Sequence, residues 1–542
     1  MLTTFNRYFE NPRFRDFLFF VVLLITMCCV RWDSNMTKGP TEPHLWRQSD
    51  CISLTEYYYH GTPFLEPEMH CRISDDGHSG KTVAEFPILY YVIGKIWTVT
   101  GEQMWIYRLF MALWCIVALT CLYRILLKLT DNWFWSALGP VFLMCSPVYA
   151  YYGIGFLTNV PALNCMIIAW YFILSYYHEQ KFKQIIWASV FFSLAGLLKI
   201  SALTSYLVLL FILALEFFRI GKFKSEGKFF PRPWLTLGVL LLPFIISMLW
   251  YRGFVESYCN EHWGRYSFTE PVPIWTVERG SAEWNQTWTR WFGFTLHQIY
   301  PAFVWIASFA ATIFLFIRFR KVNKFWLISI PLVFIGHSLF ALLFFYCLDG
   351  HDYYHIDLLV YFLLVYAALA KYISKQVTGI KGSRITKGIA ILTTIWLLLS
   401  CDNNIHMRLF GAMDNPKYSH FFANDGTVDL LQLLHQGEWT RMDYESVRDE
   451  LDARGYDRNT VVISANDNSF NALLIKLQRP GFTTMADFQA DSTWTQWRIE
   501  RGAELLVVYD ARNETRPFTK FMDYPLFTKG LVTVFDLKPY RK

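Results

Sequence analysis

The chain has 542 residues, of which 54% are apolar and 19% aromatic, while only 17% are charged, against about 25% in ordinary soluble domains. The net charge of +6 is spread unevenly: residues 403–542 carry 36 charged side chains, 26% of that stretch, and residues 1–402 carry 58, or 14%. These figures exclude a single soluble enzyme, a disordered chain and a fibrous one, and basic residues set at the ends of apolar runs do not mark a nucleic-acid binder.

Apolar runs recur at 17–30, 105–123, 134–152, 160–177, 184–198, 202–218, 234–251, 301–317, 325–347, 356–370 and 388–401. Several are shorter than the ~20 residues a bilayer asks of a helix, so flanking Trp, Tyr, Lys and Arg must complete the span. Eleven spans with a cytoplasmic N-terminus put segments 1–16, 124–133, 178–183, 219–233, 318–324 and 371–387 inside. Together these carry 21 Lys/Arg against 5 Asp/Glu, whereas the turns 152–159 and 348–355 carry no Lys or Arg. That asymmetry orients the chain, with the N-terminus cytoplasmic and the last 140 residues extracytoplasmic. No small-residue cleavage site follows the first run, which therefore reads as a span and not a signal peptide. Residues 85–100 are apolar but short and interrupted by Lys95, and they read as juxtamembrane or re-entrant; two extra half-spans would raise the total to 13 with the same orientation. The sequence thus describes an α-helical polytopic membrane protein of about 11–13 transmembrane helices. Residues 1–402 form the membrane domain, with external loops 31–104 and 252–300.

Residues 403–542 read as a soluble α/β domain. TVVIS (460–464), ELLVVYD (504–510) and VTVFDL (532–537) have the β-branched character of strands, and 468–478 and 491–503 have helical spacing. The stretch contains no cysteine, glycine-rich phosphate loop or obvious catalytic cluster, which suggests an accessory role.

Cys51, Cys71 and Cys259 fall in the external loops, where a Cys51–Cys71 bridge would pin the first loop. That loop holds HLWRQSDCISLTEYYYHGTPFLEP (44–67) and HCRISDDGHSGKTVAEFPILYYVIGK (70–95). Trp46, Arg47, Gln48 and Asp50 crowd five positions. They read either as a helix cap with a solvated turn, or as a site in which a carboxylate deprotonates an acceptor while a guanidinium holds an anion. His70, Asp75, Asp76 and His78 form a second polar cluster, with a solvated loop as the plain reading and metal or acceptor contacts as the alternative. His351, Asp352, Tyr353, Tyr354 and His355 share one short external turn. Their His-x-x-x-His spacing puts two imidazoles on one helical face, for hydrogen bonds to phosphate or sugar in preference to metal ligation. Trp263, Tyr266, Trp275, Trp284, Trp288 and Trp291 in loop 252–300 suit interface anchoring or sugar stacking. Asn159 and Pro161 read as a helix start or as shapers of a cavity.

WRQ-S-D, the tyrosine-rich helix after it, G-x-P-F-L-x-P, A-E-F-P-ILYY, YRLF (107–110), LLKIS with Lys199, and HDYYHIDLL (351–359) occur in that order. Over about residues 15–400 they resemble the bacterial glycosyltransferase 39-type family. That family is one of the GT-C membrane glycosyltransferases, related to protein O-mannosyltransferases and lipid A aminoarabinose transferase, and the tail resembles its periplasmic α/β domain. The resemblance implies an inverting transferase in the cell (inner) membrane that takes one sugar from a polyprenyl-phosphate donor. An acidic residue of the first external loop would be the base. Asp50 lies nearest that position, although close relatives often have adjacent Asp-Glu where this chain has Ser49-Asp50; Glu85 is the second candidate.

Displacing a lipid phosphate requires cations and alignment. The donor phosphate is therefore expected at Arg47, Arg108 and Lys199, with His351, Tyr353 and Tyr354, while Trp46, Gln48, Asp352 and His355 complete the site. No cofactor is required, and a divalent metal, though compatible, is not implied. The acceptor is a glycan, a lipid or a protein. A transporter or flippase for lipid-linked glycans is one alternative, disfavoured by the lack of repeated spans; an oligosaccharide ligase is another, disfavoured by the resemblance of the first loop with WRQSD and EFP and of Lys199 to the monosaccharide transferases.

Overall fold

The computed structural model describes residues 11–218, 220, 232–262, 271–377, 379–411, 421–435, 442–465, 467–484, 492–512 and 517–541. Among them, seven helices are long and apolar enough to cross a membrane: Met104–Thr130, Asn159–Glu179, Ile200–Phe217, Trp234–His262, Lys324–Leu343, Asp352–Gln376 and Gly382–Phe410. An eighth results if Ala282–Ile299 and Ala302–Ile317, bent by 76° at their junction, count as one span. The remaining apolar runs also fold as helices. Pro12–Cys29 carries Arg13, Arg15 and Asp16 in its first turns, and Trp133–Met144 and Lys183–Leu198 are shorter. The chain is an integral membrane protein.

The chain divides into two compact units of interleaved segments. The first comprises Met1–Lys38, Tyr107–Leu249 and Pro271–Gln432; the second comprises Gly39–Ile106, Trp250–Glu270 and Leu433–Lys542.

In the first unit the helix ends follow local chemistry. Asn11 caps Pro12–Cys29 by accepting from Arg13 N–H at 2.9 Å. The run 134–152 is broken because Ser146 is extended and Pro147 restarts the chain as a separate helix, Pro147–Gly153. Lys199, also extended, ends Lys183–Leu198 and is followed by the 3-10 turn Ile200–Leu203 and the helix Thr204–Phe217. The last long helix, Ile380–Phe410, runs on through residues 402 and 403. Its polar final turns, including Asn404 and Arg408, are buried.

In the second unit the helices Leu45–Tyr59 and Ile88–Thr100 pack closely at Gly94, where a Cβ would come within 2.8 Å of the Thr55 carbonyl oxygen. Five strands, β1 (Val461–Ser464), β2 (Gly481–Thr483), β3 (Ala503–Tyr509), β4 (Pro525–Lys529) and β5 (Val532–Asp536), form a sheet ordered β2-β1-β3-β5-β4. β1 pairs in parallel with β2 and β3, and β5 runs antiparallel to β3 and β4. Val461, Ile463, Phe482, Ile499, Leu506, Val508, Phe518 and Phe535 make its core. The three strands expected from β-branched runs are present, whereas β2 has only three residues and β4 (PLFTK) has no β-branched run, with Gly and Pro at their starts, and they give little sequence signal. The helix expected over 468–478 shrinks to Leu474–Leu477, because Asp467 and Ser469 hydrogen-bond the backbone ahead of it and hold a turn instead. The edge of β2 is covered by residues 70–72: Gly481 N–H donates to His70 C=O at 2.9 Å and Arg72 N–H to Gly481 C=O at 2.7 Å.

Candidate functional site

The second unit gathers the carboxylates expected to act. Arg47 and Asp50 are one turn apart on the Leu45–Tyr59 helix, and Glu85 lies just ahead of Ile88–Thr100. Arg47 Nη2 is 2.6 Å from Glu85 Oε2 and Nη1 is 3.6 Å from Asp50 Oδ2. Asp50 is fully buried, and its other oxygen, Oδ1, accepts from Asn471 Nδ2 at 2.7 Å. A buried carboxylate needs such partners to remain ionised and oriented. The guanidinium expected to hold a donor phosphate thus lies between two acids. Gln48 donates to the carbonyls of Thr41 and Pro43, a loop-holding role, and Trp46 is half-buried on the same helix.

One turn further on, Ser53 Oγ lies 2.8 Å from His70 Nδ1, and His70 Nε2 lies 3.2 Å from Glu56 Oε2. Burial, then the neighbouring Glu102, pushes the Glu56 carboxyl well above its ordinary value; burial pushes His70 down to about 3. With its imidazole so lowered, His70 meets Glu56 through a hydrogen bond and not an ion pair. The expected Cys51–Cys71 bridge is not formed: both are buried free thiols. Cys51 faces Tyr90 Oη at 3.3 Å and Cys71 faces Thr483 Oγ1 at 3.7 Å. Asp75, Asp76 and His78 are exposed in a turn held by Asp76, which accepts from Ser74 Oγ and His78 N–H, while His70 is buried in the Ser53 network.

The first unit holds the other expected residues. Lys199 is half-buried with Nζ 4.9 Å from the centre of the Tyr354 ring, and Asp357 beside them accepts from Ser201 Oγ at 2.6 Å. HDYYH does not form an α-helical turn. Residues Asp352–Leu358 are a 3-10 helix, in which positions four apart are not aligned, so His351 and His355 do not share a face. His355 is buried, with Nδ1 2.8 Å from His337 Nε2 and its ring stacked at 6.0 Å on Trp291. Asp352 is fully buried, accepts from Tyr152 Oη at 2.8 Å and pairs with Arg408, which also bonds Gln298 and Asn404. Tyr353 is tied through its carbonyl to Asn159 Nδ2 at 3.1 Å. Asp352, Tyr353 and His355 thus build the fold beneath the turn, whereas His351 and Tyr354 keep partial exposure. Arg108 is also buried, donating to the carbonyls of Lys38 and Ile154 with its guanidinium over Phe156. These bonds turn its guanidinium into the protein.

The aromatic loop is largely internal. Trp284, Trp288 and Trp291 pack on Phe345 and Leu348, while Trp275 is exposed; Trp263 and Tyr266 lie outside the described residues. Among the described residues, no group of three or more His, Cys, Asp or Glu is arranged to hold a metal ion. Sequence reasoning missed Arg408, read as part of the soluble tail, and Asn471, read as part of a helix.

Residues 84–251 match the family described as dolichyl-phosphate-mannose-protein mannosyltransferase. The fold matches ArnT from Cupriavidus metallidurans bound to undecaprenyl phosphate, with a TM-score of 0.57 and 12% identity over 97% of this chain and 98% of that one. It also matches the apo state of the same protein, with a TM-score of 0.54 and 13% identity over the same shares of the two chains. The Archaeoglobus fulgidus oligosaccharyltransferase in its apo form gives 0.48 and 11% identity over 91% of this chain and 69% of that one. No curated protein sequence matches the chain. The fold is thus of the GT-C type, and within it the likeness is to ArnT and, over residues 84–251, to the protein mannosyltransferases.

Proposed function

We propose that this protein is an inverting glycosyltransferase that moves a single sugar from a polyprenyl-phosphate donor to an acceptor at the outer face of the cytoplasmic membrane. The family match over 84–251 and the full-length likeness to a protein bound to undecaprenyl phosphate support a lipid-linked donor. The basic cytoplasmic segments support the orientation. The observation that carries the reading is Asp50: a fully buried carboxylate in the first external loop, fixed through both oxygens by Asn471 and Arg47.

In the reaction, Asp50 takes the proton of the acceptor hydroxyl or amine as the acceptor's lone pair attacks the anomeric carbon from the face opposite the phosphate. The bond between that carbon and the phosphate oxygen breaks, and its electron pair leaves with the lipid monophosphate. Lys199, whose Nζ lies 4.9 Å from the centre of the Tyr354 ring, is the cation assigned to the donor phosphate.

The test is to supply the purified protein with undecaprenyl-phosphate and dolichyl-phosphate mannose, and then with other lipid-phosphate sugars. Release of free lipid phosphate together with an inverted glycoside supports the reading. Movement of intact donor between leaflets without its cleavage contradicts it in favour of a flippase.

A further inference from the structure

The turn after β1 is built around one buried carboxylate. Asp467 Oδ1 accepts from Ser469 N–H at 2.9 Å and from Ser469 Oγ, and Oδ2 accepts from Leu473 N–H at 2.9 Å. Ser469 Oγ accepts in turn from Ala472 N–H at 2.8 Å. These bonds fix residues 467–473 and present the side chain of Asn471 to the first external loop.

All of the Asn471 amide is engaged. Its Oδ1 accepts from Cys71 N–H at 3.0 Å and from Ser53 Oγ at 3.3 Å; its Nδ2 donates to Asp50 Oδ1 at 2.7 Å and to Met69 Sδ at 3.3 Å. A backbone N–H can only donate, so the Cys71 contact decides which end of the amide is the oxygen. The NH2 group must then face Asp50. The rest of the network agrees. His70 N–H donates to Ser53 Oγ at 2.8 Å, and the Ser53 hydroxyl donates on to Asn471 Oδ1.

We propose that Asn471 is a positioning residue for Asp50: its amide holds Oδ1 and turns Oδ2 toward Arg47, so that the C-terminal segment completes the catalytic carboxylate. The inference rests on the reading of Asp50 as the base. The charged and titratable groups facing Asp50 are Arg47, with Glu85 behind it, Asp467 and the Cys51 thiol. In Asn471→Asp one new oxygen keeps the Cys71 N–H bond while the other meets Asp50 Oδ1, and two carboxylates at such a distance share a proton. In Asn471→Ala the donor is lost.

The experiment combines turnover of undecaprenyl-phosphate mannose, or of another lipid-phosphate sugar that the protein consumes, with carbon-13 NMR titration of aspartate-labelled protein. Asp50→Asn assigns the Asp50 signal. The inference predicts that Asn471→Ala lowers kcat about ten- to hundred-fold, as expected for a base displaced from its productive position, with KM for the lipid donor changed less than about threefold. It also predicts that Asn471→Asp raises the acidic limb of the pH profile and the Asp50 titration by about one pH unit or more. The aspartate variant is isosteric and tests the contact even if the alanine variant does not fold, and the NMR titration needs no turnover. An inactive Asp50→Asn beside Asn471 variants with wild-type kcat, pH limb and titration overturns this inference alone. A fully active Asp50→Asn removes the base reading and this inference with it.

Discussion

Arg47 Nη2 lies 2.6 Å from Glu85 Oε2, so a guanidinium on the Leu45–Tyr59 helix is paired with the acid of the AEFP motif. The second nitrogen of that guanidinium faces Asp50. The two candidate bases therefore differ in kind: Glu85 is the ion-pair partner, and Asp50 is the carboxylate fixed from two sides.

Glu85→Gln should lower kcat by less than about tenfold, because the amide oxygen still accepts from Arg47. Arg47→Ala leaves two acids without their cation. It should cost about 1–3 kcal/mol of stability, below the 3–5 kcal/mol typical of a fully buried pair because Arg47 is partly exposed. Thermal unfolding in detergent and steady-state turnover separate the two effects.

Lys199→Ala should reduce kcat/KM for the lipid donor by roughly ten- to a hundredfold, the worth of one charge-assisted hydrogen bond. Its melting temperature should stay near that of the wild type. Unchanged kcat/KM would remove Lys199 from the phosphate site.

Arg408→Ala should destabilise the protein by about 3–5 kcal/mol, since it leaves Asp352 charged and fully buried. Arg108→Ala should likewise reduce stability, by leaving two backbone carbonyls without donors. For both, the loss should appear in thermal unfolding and not as a selective rise in KM for the donor.

The Glu56–His70 pair sets a pH dependence with two opposite signs. His70 titrates at about 3 when folded against 6.5 when free. Below pH 6.5 only the unfolded chain takes up that proton, so the stability His70 contributes above 6.5 is lost as pH falls toward 3. The Glu56 carboxyl is raised above its ordinary 4.5, so the unfolded chain releases its proton first. The stability Glu56 contributes is complete below 4.5 and is lost as pH rises through its folded value. Glu56→Gln keeps a hydrogen-bonding group toward His70 and has no proton to lose. Its melting temperature should therefore gain on the wild type as pH is raised above about 4.5, and a constant difference would contradict the assignment.

Cys51 and Cys71, both pushed up to about 12 by burial, should resist thiol labelling until the protein is denatured and should then both react. Non-reducing peptide mapping that finds them linked would contradict the structure.

The membrane architecture was legible because apolar runs and loop charges are local quantities. Three strands were legible for the same reason, each being a run of β-branched residues. The site was legible only in part. Asp50, Arg47 and Glu85 stand out as polar groups in an apolar chain, but which of them pair depends on how the loop folds back. Asn471 lies 421 residues from Asp50 in a polar stretch whose spacing reads as helix, and only the turn enforced by Asp467 gives it a role. Arg408 and Asp352 similarly look like surface charges until the helix Ile380–Phe410 is seen to carry Arg408 inward. His351 and His355 were misread because spacing alone cannot distinguish a 3-10 turn from an α-helical one.

The most direct measurement is the rate at which purified Asp50→Asn protein releases free lipid phosphate from a lipid-phosphate sugar, set beside wild type and Glu85→Gln. The account predicts a fall of about a hundred- to ten-thousandfold in kcat for Asp50→Asn, the usual worth of a general base, with donor binding and melting temperature retained. Wild-type release by Asp50→Asn, with the loss appearing in Glu85→Gln instead, would contradict it.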